Sequence, residues 1–147
     1  MNTFPGIGVQ VNFAPADRLS DNVLALLHEI AGLLERLVDT GESGSIDLRG
    51  LPLLPGERDA LKTVLGEGEV RATLDALGET AIHETRLAGV WWVSHCDRNG
   101  EQIAEFIEVT RVPVILQSDS RDVRDAGEVL RAQLAEWTAL PDAEEEA

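Results

Sequence analysis

The hydrophobic pattern changes its period near Gly66-Glu67-Gly68, and this change restricts the fold more than any other feature of the sequence. Before it, Val23, Leu26 and Ile30 begin a series spaced by three and four residues, which is typical of a helix with one buried face. After it, apolar residues recur at every second position, as they do in a strand. Helices followed by a block of strands indicate an α+β fold.

The sequence predicts an antiparallel meander of four or slightly more strands, with helices packed on one face of the sheet. The predicted helices span residues 20–38, 53–65 and 119–137, and the predicted strands 46–49, 70–75, 81–86, 90–96 and 103–109. Residues 20–140 are expected to form a single domain. Residues 1–19 are expected to be a leader or an edge strand, and residues 141–147 a disordered acidic tail.

The charge of the chain restricts its partners. Twenty-seven Asp and Glu residues stand against 12 Lys and Arg, which gives a formal net charge of −15. Such a charge repels nucleic acids and anionic membranes. No apolar run approaches the ~18 residues needed to span a bilayer, and the start of the chain has no secretory signal pattern. We expect a soluble cytoplasmic protein whose partner is basic or docks through apolar surface.

No set of catalytic residues can be assembled from the sequence. Neither G-x-S-x-G nor H-E-x-x-H occurs, and close acidic residues such as Glu105 and Glu108 are what a strongly acidic surface produces by itself. The single cysteine, Cys96, cannot form an internal disulfide and is too few for an iron–sulfur site. The sequence therefore predicts no enzyme, no cofactor and no assigned metal ligand.

A metal or iron–sulfur carrier is kept as an alternative because His83, His95 and Cys96 are the only soft ligands near one another. If the strands pair around Leu87-Ala88-Gly89, the two histidines lie diagonally on one face of the sheet, roughly 7–8 Å apart. His95 and Cys96 should face opposite sides of their strand. Two histidines alone make a weak metal site.

The aromatic residues of the central strands are more informative. Trp91 and Trp92 are consecutive, so their side chains should point to opposite faces, and Phe106 should point away from Ile107. The central hairpin is therefore apolar on both faces. Either a second layer covers the outer face, or that face is a docking surface. The candidate partner-binding residues are Trp91, Trp92, Phe106 and Glu108.

Three separated motifs resemble the conserved domain of the HupH/HyaF hydrogenase expression/formation proteins. In order, they are Leu65-Gly66-Glu67-Gly68-Glu69-Val70, Ala88-Gly89-Val90-Trp91-Trp92-Val93, and Phe106-Ile107-Glu108-Val109 followed by Val112-Pro113. The resemblance covers about residues 45–135. Longer members of the family carry two such units, whereas this chain has one.

The resemblance implies a chaperone-like accessory role in [NiFe]-hydrogenase maturation, with the small-subunit precursor or another maturation factor as partner and no catalytic residues. An outward-facing tryptophan would shield the partner, and acidic residues around it would steer basic segments. An acidic protein that sequesters a basic partner is a further alternative. A homodimer formed through the first helix or the sheet edge also stays open.

Overall fold

A computed structural model describes residues 18–141 of the chain. Its secondary structure agrees with the predicted α+β class and with a sheet of slightly more than four strands. The elements are α1 (Asp21–Thr40), β1 (Gly44–Asp47), α2 (Pro55–Leu65), β2 (Arg71–Asp75), β3 (Glu79–Glu84), β4 (Val90–Cys96), β5 (Gln102–Val109), a 3-10 turn (Val114–Leu116) and α3 (Ser120–Ala139). Most of the predicted leader and all but the first residue of the predicted acidic tail lie outside the described residues.

The five strands form one antiparallel sheet in the order β1-β5-β4-β3-β2. Strands β2 to β5 are the predicted meander, and β1 pairs with β5 at the far edge. The chain divides into two compact units after Pro113, the first holding the sheet with α1 and α2, the second holding the 3-10 turn and α3. The extent of a single domain over residues 20–140 stays a prediction.

Helix α1 begins where the sequence predicts and extends two residues beyond its predicted end at residue 38. The Ser20 hydroxyl accepts a hydrogen bond from the Val23 N–H at 3.3 Å and so caps the first turn. At the other end Gly41 adopts a left-handed conformation, φ +75°, and its N–H donates to the Leu37 carbonyl at 2.9 Å. Both caps satisfy backbone groups that a helix end leaves without partners.

Helices α1 and α2 pack on the same face of the sheet, as predicted. Because side chains alternate along a strand, every second residue of β1, β4 and β5 faces these helices. The buried core so formed consists of Val23, Leu26, Ile30, Ile46, Leu48, Leu61, Leu65, Val90, Trp92, Ile107 and Val109.

The segment Leu65-Gly66-Glu67-Gly68 fastens the end of α2 to the hairpin of β3 and β4. Gly66 has a φ of +65° and its N–H donates to the Lys62 carbonyl at 2.8 Å, which ends the helix. The Gly68 N–H then donates to the Glu84 carbonyl at 2.7 Å. A Cβ at Gly68 would lie 2.5 Å from the Thr85 carbonyl oxygen, so only glycine fits this close approach.

Within residues 18–141, none of the helices combines the length and the apolar character needed to cross a bilayer.

Candidate functional site

A buried carboxylate lies on the helix-covered face of the sheet. Glu105 is 2% exposed. Its carboxylate accepts a hydrogen bond from Arg58 Nε at 2.6 Å and a second bond from Arg58 Nη2, which makes the pair bidentate. Trp92 Nε1 donates to it at 3.1 Å and Gln102 Nε2 at 2.9 Å. The four donors come from α2, β4 and β5, so this carboxylate joins three elements.

The surroundings of Glu105 keep it ionised. Burial by itself raises the pKa of a carboxyl group, but the hydrogen bonds from Arg58, Trp92 and Gln102 outweigh burial, so the pKa of Glu105 falls below its usual value. In return, the hydrogen bond to Glu105 raises the pKa of Arg58. A carboxylate with four donors is satisfied within the fold, and the cluster is best explained as a structural contact.

Trp92 is surrounded by charged and aromatic groups. The Arg58 guanidinium lies 5.9 Å and the Lys62 ammonium 5.2 Å from the centre of its ring. The His83 ring stacks beside it, with 6.5 Å between ring centres and 10° between planes. Burial lowers the pKa of His83, Lys62 and Arg71 lower it further, and Glu67 opposes them. Burial therefore favours the neutral form of His83, which packs beside Trp92.

The prediction that His83 and His95 share a face of the sheet is wrong. His83 pairs with Trp92 on the helix-covered face, whereas His95 pairs with Thr80 on the opposite face. The two imidazoles therefore cannot hold one ion together. In the part of the chain that the structure describes, no group of three or more His, Cys, Asp or Glu side chains is arranged to bind a metal.

The register of the hairpin explains this error. Glu84 pairs with Trp91, so the centre of the hairpin falls between Leu87 and Ala88 rather than on Ala88. A shift of one residue in the pairing reverses the face to which one strand's side chains point, relative to its partner. The turn itself is held by the Thr85 N–H, which donates to the Val90 carbonyl at 2.8 Å.

Trp91 and Trp92 point to opposite faces of the sheet, as predicted, because they are consecutive in β4. Both are buried, with Trp91 4% and Trp92 2% exposed. The Trp91 indole N–H donates to the Thr110 carbonyl at 3.0 Å. The expectation that the outward tryptophan is exposed therefore does not hold for the described chain, and its neighbours Ile82 and Val93 on that face are also buried.

Phe106 and Glu108 lie on the same outer face as Trp91 and are half-buried. Glu108 pairs directly with Trp91, and the edge of the Phe106 ring contacts His95, with 6.0 Å between ring centres. Burial raises the pKa of Glu108, and the nearby His95 partly opposes this. The structure thus groups Trp91, Phe106 and Glu108 and places Trp92 on the other face. Partner binding by these four residues stays a prediction.

The largest run of exposed apolar side chains on a single helix is on α3, and sequence reasoning did not identify it as a surface. No residue of this 20-residue helix is buried. Four of its large apolar residues are separated by seven, four and three positions, which places their side chains on one face of the helix. This face, here called the α3 stripe, consists of Val123, Leu130, Leu134 and Trp137, each 47–59% exposed.

Smaller apolar grooves flank the segment between β1 and α2. One, of about 220 Å³, lies between Leu51–Leu53 and the first turns of α1. The other, of about 340 Å³, lies between Leu54 and the start of α1. Leu54 is exposed in the second groove, and Glu29 lines the first groove and Glu57 the second. These grooves are open and shallow, and they hold no cluster of groups that suggests catalysis.

An open antiparallel sheet with two helices on one face, followed in the chain by a helix with an exposed apolar stripe, defines an α+β protein. The chain belongs to the HupH family of hydrogenase expression proteins. The family model described as "HupH hydrogenase expression protein, C-terminal conserved region" matches residues 21–137. This confirms the resemblance predicted from the three sequence motifs.

Individual relatives carry consistent names. The chain is 37% identical over 98 residues to the "Hydrogenase expression/formation protein HoxQ" of Azotobacter vinelandii, which covers 61% of this chain and 34% of the relative. It is 26% identical over 125 residues to the "Hydrogenase-1 operon protein HyaF" of Escherichia coli K12, covering 85% of this chain and 42% of the relative. The chain thus spans between a third and a half of these proteins.

A solved structure, "Hydrogenase expression protein HupH from Thiobacillus denitrificans ATCC 25259", is similar in fold as well as in sequence. It superposes with a TM-score of 0.76 at 43% identity and covers 80% of this chain and 98% of its own.

Proposed function

We propose that this chain is a non-catalytic accessory protein of [NiFe]-hydrogenase maturation that binds the hydrogenase small-subunit precursor in a chaperone-like manner. The names of its relatives, which are hydrogenase expression and formation proteins, support a role in making hydrogenase. Because those relatives are about twice as long as this chain, the activity of the full-length proteins is carried over here only as part of this proposal.

The observation that carries the proposal is the α3 stripe. Burial of the four large apolar side chains on this face would be favourable, because about half of the surface of each side chain is still in contact with water. An amphipathic helix that presents such a face is a common unit of protein recognition, in which the helix lies in a groove of the partner. We assign the α3 stripe to the contact with the precursor.

The charge of the chain supports a partner with basic segments. A net charge of −15 attracts positively charged stretches from a distance and raises the rate of encounter, while the apolar contact supplies the affinity. Binding that depends on the α3 stripe should therefore persist at high salt, with a slower association. A purely electrostatic sequestration of a basic protein would be lost under the same conditions.

Two valine substitutions on α3 test the proposal. Val123 lies in the α3 stripe and is 59% exposed, whereas Val129 lies about 100° around the helix from Leu130 and is 57% exposed. We expect Val123→Glu to weaken binding of purified small-subunit precursor about tenfold or more, measured by titration calorimetry, because a charge enters the apolar contact. Val129→Glu is the matched control and should bind like the unchanged protein.

Because neither valine is buried, both variants should unfold at nearly the same temperature as the unchanged protein. Equal affinities of the two variants would remove the α3 stripe from the interaction. The unchanged protein could instead fail to bind the precursor and capture another maturation factor. If Val123→Glu abolishes that capture, the α3 stripe is still the binding surface and the partner is a different protein.

A further inference from the structure

Strand β2 forms one edge of the sheet in the described part of the chain. It pairs with β3 on one side, and no described strand pairs with it on the other. The Glu84 N–H donates to the Val70 carbonyl at 2.9 Å, which fixes the alternation of hydrogen bonds along β2. The N–H and C=O groups of Arg71, Thr73 and Asp75 therefore point away from β3.

We propose that this edge pairs with the same edge of a second copy of the chain, in an antiparallel strand pair centred on Thr73. A two-fold axis at Thr73 places Arg71 of each copy opposite Asp75 of the other. All three residues with outward backbone groups then face one another, so the pairing uses every free hydrogen-bonding position of β2. The inference does not depend on the proposed hydrogenase partner.

Charge selects this register over its neighbours. Only registers that bring the outward backbone groups of β2 together can form, so the pairing can shift by two residues at a time. Each such shift moves the two-fold centre by one residue. Centres at Ala72 and Leu74 set Arg71 and Asp75, respectively, opposite Thr73 and lose the opposite-charge pairs, whereas centres at Arg71 and Asp75 set two like charges opposite each other. Like charges directly opposite destabilise a strand pair, whereas the Thr73 centre makes two opposite-charge pairs.

The existing contacts of these side chains leave them available. Arg71 forms an ion pair with Glu67 on the surface, and both side chains are mostly exposed. Exposed ion pairs contribute little, so the guanidinium can contact a second carboxylate at small cost. The partner carboxylate, Asp75, is exposed.

The other face of the same pair is apolar. Side chains alternate, so Ala72 and Leu74 point to the face opposite Arg71 and Asp75, and both are half-buried. In the Thr73-centred register Ala72 of one copy lies opposite Leu74 of the other. Val70, which is exposed, lies opposite Ala76 of the second copy. Pairing would therefore bury apolar surface as well as backbone groups.

The second edge of the sheet lacks these properties. Strand β1 has four residues, and Ser45 and Asp47 are the two that direct backbone groups outward. The Asp47 carboxylate accepts hydrogen bonds from the N–H groups of Arg49 at 3.0 Å and Gly50 at 3.3 Å, so the chain turns there. A short edge that ends in a turn is a poor template for further pairing.

Sedimentation equilibrium of the full chain, from low-micromolar to near-millimolar concentration, tests the inference. Five residues per copy form a small interface, so we expect a weak, concentration-dependent dimer whose mass approaches twice 15.9 kDa. Thr73→Pro removes an outward N–H without removing a bond to β3, and it should leave a monomer. Thr73→Val keeps that N–H and should dimerise like the unchanged chain.

Charge reversal tests the register without altering the backbone. Arg71→Asp places two carboxylates opposite each other in both pairs and should raise the dimer dissociation constant about tenfold. Adding Asp75→Arg to this variant recreates opposite-charge pairs and should restore the original dissociation constant. Failure of the double variant to recover would overturn the Thr73-centred register.

Two results would overturn the inference as a whole. The first is a monomer at every concentration. The second is a dimer that Thr73→Pro and Arg71→Asp leave unchanged, since that dimer must use another surface. If the unchanged chain is monomeric and Thr73→Pro instead abolishes binding of the small-subunit precursor, the β2 edge receives a strand of that partner and not a second copy.

Discussion

The carboxylate of Glu105 receives hydrogen bonds from helix α2 and from two strands, so one side chain fixes how the helix lies on the sheet. Its position could be foreseen only in part. Alternation along β5 assigns Glu105 to the same face as the buried Ile107, but a glutamate in so acidic a chain is more simply interpreted as a surface residue. Arg58, whose hydrogen bonds allow the Glu105 carboxylate to be buried, lies 47 residues earlier in the chain. No local sequence pattern links the two residues.

Replacement of Glu105 by glutamine should destabilise the fold. The amide keeps the size of the side chain but loses the ionic bond to Arg58 and sets an NH2 group against other donors. We expect the free energy of unfolding to fall by about 1–3 kcal/mol near pH 7, measured by urea denaturation. Glu101→Gln, an exposed position on the same hairpin, should change it by less than about 0.5 kcal/mol.

The unchanged protein and the Glu105→Gln variant should also differ in how their stability responds to acid. The pKa of Glu105 is lower in the folded chain than in the unfolded one, so its stabilising effect is complete above the usual glutamate pKa of 4.5. The effect is lost as the pH falls below that value and through the lower folded pKa. The stability difference between the unchanged protein and Glu105→Gln should therefore shrink in acid, and a constant difference would contradict this account.

The residues of the central hairpin show what a sequence can and cannot predict about a site. Opposite faces for Trp91 and Trp92 follow from the geometry of any strand, so that prediction was confirmed. Whether His83 and His95 share a face depends on the pairing register across the turn, where moving the centre of the hairpin by half a residue changes the face. The prediction for these two residues was wrong. The burial of Trp91 depends on what packs against the outer face, which neighbouring residues do not encode.

Among the elements, the connection between α2 and the sheet is restricted by a close steric contact. A methyl group at Gly68 would meet a backbone oxygen, which cannot move without disturbing the hairpin. Gly32, within α1, has nothing within 4 Å of an added Cβ. The two glycines therefore serve different purposes, although the sequence presents them as the same residue type.

Alanine substitutions should separate these two glycines. Gly68→Ala should lower the free energy of unfolding by about 1–3 kcal/mol because the chain must shift to relieve the contact. Gly32→Ala should raise it by roughly 0.5–1 kcal/mol because alanine favours a helix. Thermal unfolding followed by circular dichroism measures both, and a similar shift for the two variants would show that the close approach at Gly68 is not tight.

The helices show why element positions are predictable from sequence while element burial is less so. Both α1 and α3 begin where the sequence predicts, after the capping residues Ser20 and Asp119, because capping is a local interaction. The apolar face of α1 is broad, since Leu27 and Leu34 widen it, and α1 contributes to the core. The face of α3 has about one large apolar residue per turn, and none of its residues is buried.

At the scale of the whole molecule, the order of helices and strands was predicted correctly because each element carries its own period and its own end signals. The place of β1 beside β5 was not, because that pairing joins residues about 60 positions apart through contacts that appear only in the folded chain. The exclusion of catalytic, nucleic-acid and membrane roles from charge and composition stays a prediction. The α3 stripe needed a structure, since its exposure is a property of the fold.

The burial of Trp91 on the outer face of the sheet gives a prediction about one of the tryptophans predicted to contact a partner. Trp91→Ala should lower the free energy of unfolding by about 3–5 kcal/mol, because a large buried ring and its hydrogen bond to Thr110 are lost. Trp137→Ala, at an exposed position on α3, should change it by less than about 0.5 kcal/mol. Urea denaturation distinguishes them, and equal effects would mean that Trp91 is not packed in solution.

The unequal exposure of the three tryptophans also equips the chain with an optical probe of its own. Trp91 and Trp92 are shielded inside the fold, whereas Trp137 is 56% exposed on α3. Its fluorescence alone should be open to quenching by small solutes such as acrylamide, and its emission should move to shorter wavelength when the helix is covered. Contact between α3 and any partner can therefore be followed in the unmodified protein, without attaching a dye to the surface under study.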